Sequence, residues 1–175
     1  MKDTGTGKKS RFLRACGDLA ISGCLILGDQ VSKYLVRAYL RPLPGGRIVL
    51  ADGILELQYL ENRGAAFGML EDRGWLFCIF ALAVILVTGT LCIRCPSGRR
   101  LLPFRLSMVL ILAGAAGNLT DRVARGYVTD FIYFRLIHFP VFNGADICVT
   151  IGTCLLMILL VFRYRDDDLS WVKRV

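Results

Sequence analysis

The 175-residue sequence is short of charge, of histidine and of paired cysteine motifs, and each shortage excludes something. Only 21% of the residues are charged, against 55% hydrophobic, and the mean hydropathy is +0.54. A soluble domain of this length has too little interior for so much apolar side chain, and a disordered chain needs the opposite composition. A single histidine, His138, stands in no motif with a serine or cysteine, which argues against a nucleophilic triad. Of seven cysteines, only Cys92 and Cys95 have the two-residue spacing of a redox or metal pair. The others lie in or beside apolar runs, where cysteine behaves as a small hydrophobe, so neither a metal site nor a disulfide framework is expected. The pI of about 9.4 and net charge of +8 suit a nucleic-acid binder, but no basic patch alternates with aromatics on a polar background. No internal repeat or low-complexity run is present. An α-helical integral membrane protein is the class that remains.

Residues 75–93 contain no charge, and 19 residues at about 1.5 Å each are enough to cross roughly 30 Å of hydrocarbon. Residues 145–162 form a second span with one acid, Asp146, at its start. A third covers 101–119, with Arg105 near one end, where a long side chain can snorkel. The first span is the least clean. Lys2, Lys8, Lys9, Arg11 and Arg14 before a short apolar stretch also resemble a signal peptide. The apolar pattern nevertheless continues through Val31, Tyr34, Leu35 and Val36 at helical spacing, which predicts a helix over about 12–36.

Four spans put both termini on one side. That side carries 13 of the 22 Lys and Arg residues, against eight opposite and Lys33 within span one. The bias predicts cytoplasmic termini. The extracytoplasmic segments are then 37–73 and 120–144. In the first, Asp52-Gly53 between strand-like runs predicts a hairpin. The alternation in Leu55-Glu56-Leu57-Gln58-Tyr59 predicts one apolar and one polar face, as on a small sheet at a membrane surface. Asp166-Asp167-Asp168 reads as a solvated tail.

Ionisable residues near spans are costly and therefore candidates for function. Asp29 and Lys33, four apart, share a helix face and can pair. Asn118, Asp121 and Arg122 end span three, Asn143 and Asp146 begin span four, and Asn62, Arg63 and Asp130 lie in the connections. This topology gathers Asp121, Asp130 and Asp146 in the second loop at one end of the bundle. Bland readings exist for most of them. Asn143 and Asp146 suit a helix cap, Arg122 can neutralise Asp121, and Ala113, Gly114, Ala116 and Gly117 suit close helix packing. Asp130, in Thr129-Asp130-Phe131-Ile132, has no neighbouring base in the sequence, so burial would raise its pKa. Two carboxyl groups sharing a proton can hydrolyse an amide without a metal or cofactor, one acting on water and one hydrogen-bonding the carbonyl. A small ion-coupled transporter and a non-catalytic scaffold are the competing classes. Transport sites usually lie at the midplane, however, and here the acids cluster at one end.

Five motifs in order carry a resemblance: Asp29-Gln30-Val31-Ser32-Lys33, Asn62-Arg63-Gly64-Ala65-Ala66-Phe67, Gly117-Asn118-Leu119-Thr120-Asp121-Arg122, Val128-Thr129-Asp130-Phe131 and Phe142-Asn143-Gly144-Ala145-Asp146. Over about residues 12–163 the chain resembles lipoprotein signal peptidase (signal peptidase II). The resemblance implies an aspartic peptidase of the bacterial cytoplasmic membrane, with four transmembrane helices and a small extracytoplasmic sheet. Its substrates would be diacylglyceryl-modified prolipoproteins, and it would need no cofactor. Asp130 and Asp146 would be the catalytic pair, supported by Asp29, Lys33, Asn62, Gly64, Asn118, Arg122, Asn143 and Ala145, with Asp121 holding Arg122. Spacing leaves open whether Asp121 or Asp130 partners Asp146; the adjacent Arg122 favours a structural Asp121. Membrane lipids and globomycin-type inhibitors are implied partners, nucleic acid is not, and a monomer is expected. The hairpin and residues 62–70 are expected to cover the site. Gly144 and Cys148 depart from residues common in the family, without chemical consequence.

Overall fold

The computed structural model describes residues 6–64 and 74–172. Four helices are long and apolar enough to cross a membrane: α1 (Thr6–Leu35), α2 (Gly74–Arg94), α3 (Leu102–Arg125) and α4 (Gly144–Phe162). The expected four-span fold with a small sheet is thus observed, with shifted boundaries. The first candidate span continues to Leu40 through a π-helical turn, Val36–Leu40. The third helix runs to Arg125, ended by Gly126 at φ 77°, a left-handed cap that glycine adopts without a Cβ clash. Asp121 therefore lies on the last turns of α3 and Asp146 in the first turn of α4. Of the three acids assigned to the second loop, only Asp130 lies between the helices.

The helices do not share burial evenly. α3 is the centre of the bundle and packs against α1, α2 and α4. α2 is hydrophobic all round and fully buries only Ala81 and Thr88, as expected of a helix surrounded by hydrocarbon. Glycines allow the closest contacts: a Cβ on Gly114 would collide with the Ala145 carbonyl and Val149 on α4. A Cβ on Gly117 would lie 2.7 Å from Oδ2 of Asp29, which keeps that carboxylate against α3.

The sheet is antiparallel in the order β1 (Arg47–Ala51), β2 (Leu55–Asn62), β3 (Val128–Phe134). The predicted hairpin turns at Asp52-Gly53, with Gly53 at φ 68°. The third strand was not read from the sequence, and its pairing brings Asn62 opposite Val128 and Leu60 opposite Asp130. Leu57, Tyr59 and Ile132 pack near Val36, Leu40 and Phe131, which seats the sheet on the end of α1. The polar face expected on β2 is not solvated throughout. Glu56 is 1% exposed, held by Arg135 at 2.6 Å and Arg47 at 3.6 Å.

At the opposite end of the bundle two expectations change. Arg105 does not snorkel; its Nη2 and Nε donate to Asp18 at 2.7 and 3.2 Å, a two-point pair between α1 and α3. Asp168 is not a free tail residue, since it pairs with Arg100 at 2.6 Å while Tyr164 and Trp171 pack edge-on against Phe104. Breaking a buried, hydrogen-bonded pair leaves a charge unmatched. Asp18→Asn or Arg105→Gln should each cost about 2 kcal/mol, at the low end for such pairs because both side chains keep some exposure. The exchange Asp18→Arg with Arg105→Asp should recover part of the loss in detergent thermal melts. Equal midpoints for wild type and both single variants would contradict this.

Candidate active site

The site forms where the ends of α1, α3 and β2, strand β3 and the start of α4 meet. Its centre is Asn143, fully buried at the N-cap of α4. The predicted cap is present in reciprocal form. Asn143 Oδ1 accepts from the Asp146 amide at 3.0 Å, and Asp146 Oδ2 accepts from the Asn143 amide at 3.0 Å. The Asn143 side-chain amide is left to donate elsewhere, to Asp130 Oδ1 at 2.6 Å and to Asn118 Oδ1 at 3.1 Å. Asn118 Nδ2 donates to Asp146 Oδ1 at 2.7 Å, and Asn62 Nδ2 donates to Asp130 Oδ2 at 2.8 Å. Three asparagines thus supply donors to both carboxylates and orient them without adding a charge.

Behind this layer is Lys33, with no exposed surface. Its Nζ lies 2.8 Å from Asp29, 3.2 Å from Asp121 and 2.9 Å from Asn118 Oδ1. The ion pair predicted for Asp29 and Lys33 is therefore part of a larger cluster. Asp29 also accepts from the Ala145 amide at 2.9 Å, placing negative charge at the N-terminus of α4, where the helix dipole favours it. Gln30, absent from the candidate residues, ties Asp29 to α3 through the Gly117 carbonyl at 3.1 Å.

Asp121 and Arg122 do not pair as expected. Asp121 is taken up by Lys33, by Arg125 at 2.8 Å and by the Thr129 amide at 3.1 Å. Arg37, on the π-helical turn, donates to Thr129 Oγ1 at 2.9 Å. These contacts anchor the start of β3 and thereby the residue after it, Asp130. Arg122 turns away, with its guanidinium 5.2 Å from the centre of the Phe77 ring and long contacts of 3.5 Å to the Gly64 and Asn118 carbonyls. Thr129, Arg37 and Phe77 are contributors that the sequence reading missed. Arg37 lies four residues after Lys33, a helical spacing that places the two on one face; nothing in the sequence links Phe77 to Arg122.

Asp130 and Asp146 line one cavity of about 530 Å³, together with Asn62, Gly64 and Arg122. Its remaining wall is mainly apolar, including Phe142, Ile147 and Ile151. A second cavity of about 370 Å³ lies between α2, α3 and α4 and also reaches Asp146 and Arg122. Burial, and next the charge of Asp146, push the Asp130 carboxyl up to about 6, against hydrogen bonds from Asn62 and Asn143 that favour the charged form. The expected rise is thus present. Asp121, matched by several cations and hydrogen bonds, does not line either cavity.

On the outer flank of β2, Glu61 accepts from the Tyr59 hydroxyl at 2.9 Å, which holds the Glu61 carboxyl below its usual range. Arg63 and Arg41 approach the same carboxylate at 3.4 and 3.6 Å. The residues 65–67 of the second motif and most of the segment expected to cover the site fall outside the described residues.

A family model described as "Signal peptidase (SPase) II" matches residues 21–162. The chain belongs to the signal peptidase II family. Among curated relatives, the lipoprotein signal peptidase of Symbiobacterium thermophilum is 44% identical over 143 residues, 80% of this chain and 91% of that one. The lipoprotein signal peptidase of Clostridioides difficile is 41% identical over 140 residues, 79% and 90% of the two chains. Two solved structures of bacterial membrane enzymes, obtained by the in meso method at 2.3 and 1.9 Å resolution, superpose with TM-scores of 0.74 and 0.73. They are 30% and 29% identical and cover 83% and 85% of this chain, and 87% and 94% of their own. This signal peptidase II is thus an aspartic peptidase and a multi-pass membrane protein, and its family removes signal peptides from prolipoproteins.

Proposed function

We propose that Asp130 and Asp146 are the catalytic pair that removes the signal peptide of a diacylglyceryl-modified prolipoprotein, cutting before the lipidated cysteine. The observation that carries this reading is the shared cavity: both carboxylates line it and are linked through one asparagine, Asn143. One carboxylate takes a proton from a water as its oxygen attacks the scissile carbonyl carbon. The protonated partner hydrogen-bonds the carbonyl oxygen and then donates to the leaving amine as the C–N bond breaks. Asp130, with its raised pKa, retains the shared proton to the higher pH, although the pair titrates as a unit. Asn62, Asn118 and Asn143 orient the carboxylates. Arg122, stacked on Phe77 at the border of both cavities, is placed to hold a substrate carbonyl. Asp29, Lys33, Gly64, Asp121 and Ala145 support them.

The charge bias favours cytoplasmic termini in the bacterial inner membrane, with the pair near the outer leaflet. There a lipidated cysteine arrives from the side, and the apolar cavity wall suits its acyl chains. Globomycin-type compounds should occupy the same cavity, and the enzyme should act as a monomer.

The test uses the full chain, purified in detergent, with a diacylglyceryl-modified precursor and its unmodified counterpart. Mass spectrometry should find one new N-terminus, at the lipidated cysteine, with the unmodified precursor left intact and globomycin blocking the reaction. Cleavage at another bond, or equal cleavage of both precursors, would overturn the substrate assignment.

A further inference from the structure

Glu56 is a fully buried charge that the chemistry at the aspartates does not use. It stands in the middle strand of the sheet, opposite Val49 of β1 and Tyr133 of β3. Its neighbour Leu57 packs towards the end of α1, so strand alternation turns Glu56 to the other face, where a carboxylate is ordinarily solvated. Here it is enclosed, and its two cations come from different elements. Arg47 belongs to β1 and stays 3.6 Å away. Arg135, the first residue after β3, donates from Nη1 to Glu56 Oε1 at 2.6 Å. Both arginine side chains are about half exposed, so each reaches in from the surface to a carboxylate that is not.

Arg135 opens the connection to α4, and the far part of that connection is a wall of the active-site cavity. Phe139, Pro140, Val141 and Phe142 line the cavity, and Asn143, which hydrogen-bonds both aspartates, follows directly. The turn Arg135–Ile137 is tied to β2 and its approach at two points. The Arg135 amide donates to the Ile54 carbonyl at 2.9 Å, and its guanidinium donates to Glu56. Just beyond the turn, His138 has φ 49°, left-handed backbone that a residue other than glycine keeps only where its surroundings hold it. The Phe139 amide then returns to the Phe134 carbonyl at 3.1 Å, and Phe142 packs against the rings of Phe134 and Phe139 at 5.8 and 5.7 Å. The cavity wall is therefore built on a turn whose side-chain anchor is a buried charge.

We propose that Glu56 is a positioning residue for substrate binding: through Arg135 it fixes the turn that sets the apolar wall of the active-site cavity. A buried ion pair adds little net stability once desolvation is counted, but a geometry that separates the two leaves the carboxylate unmatched, so the pair selects one position of the turn. The wall lines the cavity without supplying a reacting group, so the effect falls on binding and not on proton transfer. The role in binding rests on the proposed occupation of this cavity by the prolipoprotein; the role in holding the turn does not.

Two measurements on the full chain in detergent separate these parts: amide hydrogen exchange read by mass spectrometry, and steady-state cleavage of a diacylglyceryl-modified precursor. In Glu56→Gln, peptides over residues 135–142 should exchange about tenfold faster, while those from α3 and α4 keep their wild-type rates. KM should rise about tenfold, the factor that about 1.4 kcal/mol of lost binding carries, with kcat within about twofold. Arg135→Gln should do the same. Arg47→Gln, which takes the other cation from the same carboxylate but leaves the turn tied, should change neither quantity. Glu56→Met with Arg135→Met removes the pair without leaving a buried charge, so it should keep a near-wild-type thermal midpoint and still show faster exchange and a raised KM. Wild-type exchange over 135–142 in that double variant would overturn the role of Glu56 in holding the turn. A wild-type KM beside fast exchange, whatever happens to kcat, would overturn its role in binding, as would an equal effect of Arg47→Gln. A wild-type enzyme that leaves the precursor uncut would overturn the substrate assignment and not the held turn, which exchange decides alone.

Discussion

Asp130→Asn and Asp146→Asn are each expected to lower the rate of signal-peptide removal by about a thousandfold, within the range that a positioned acid or base contributes. The double variant should be no slower than either single one, because groups that act as a unit lose their joint effect with the first removal. Asp146→Asn keeps a side-chain oxygen to accept from the Asn143 amide and leaves the backbone amide that donates to Asn143 Oδ1, so α4 retains both halves of its reciprocal cap and the protein should still fold. Asp52→Asn, in the exposed hairpin turn, is the control and should leave turnover unchanged. The pH profile adds a second reading. A carboxyl raised to about 6 from 3.8 keeps its proton to higher pH, and loses it as the pH rises through about 6. If Asp130 holds the shared proton, kcat/KM of the wild type should therefore fall on the alkaline side from about that pH. A single variant that retains tenfold-reduced or better activity, or a profile flat from pH 5 to 8, would remove Asp130 and Asp146 from these roles.

Lys33→Met is expected to give the largest loss of stability of any single substitution in the site. The ammonium group has no exposed surface and serves two carboxylates and one side-chain amide. Removing it leaves Asp29 and Asp121 buried beside a methionine that offers them no charge. Such losses run to about 3–5 kcal/mol, or on the order of 10 °C in thermal midpoint for a chain of this length. Lys33→Arg should not rescue, because a planar guanidinium needs volume that a fully enclosed position lacks. Arg37→Met should cost less, since Arg37 is partly exposed and Asp121 keeps Lys33 and Arg125. Wild-type midpoints for Lys33→Met would show that the cluster contributes no stability.

Features legible in the sequence were those that short separations control. Asp29 and Lys33 pair because four residues of helix bring them to one face. Asn143 and Asp146 cap α4 because residues three apart at a helix start meet there. Asp52-Gly53 turns because glycine reaches positive φ without strain. The spans over 75–93 and 145–162 were legible from apolar length, and the first from apolar residues at helical spacing. The end of α3 was not, because its final turns carry Asp121, Arg122 and Arg125, charges that composition assigns to a loop, although Asp121 is buried against Lys33 of α1 and Thr129 of β3. Strand β3 escaped for a related reason: it is buried over its first four residues, Val128 to Phe131, and so lacks the alternation of a half-exposed strand.

What this sequence determined by itself is that the chain spans a membrane, that its spans are helices and that its polar residues gather at their ends, because local spacing and apolar length are sufficient for these. The tertiary structure decided which partner each charge has. Asp29 meets the Ala145 amide 116 residues away, Arg105 meets Asp18 rather than water, and Arg122 leaves its neighbour Asp121 for Phe77. A buried charge takes the best-matched group that packing brings within reach, and that choice depends on contacts between helices that no sequence spacing records.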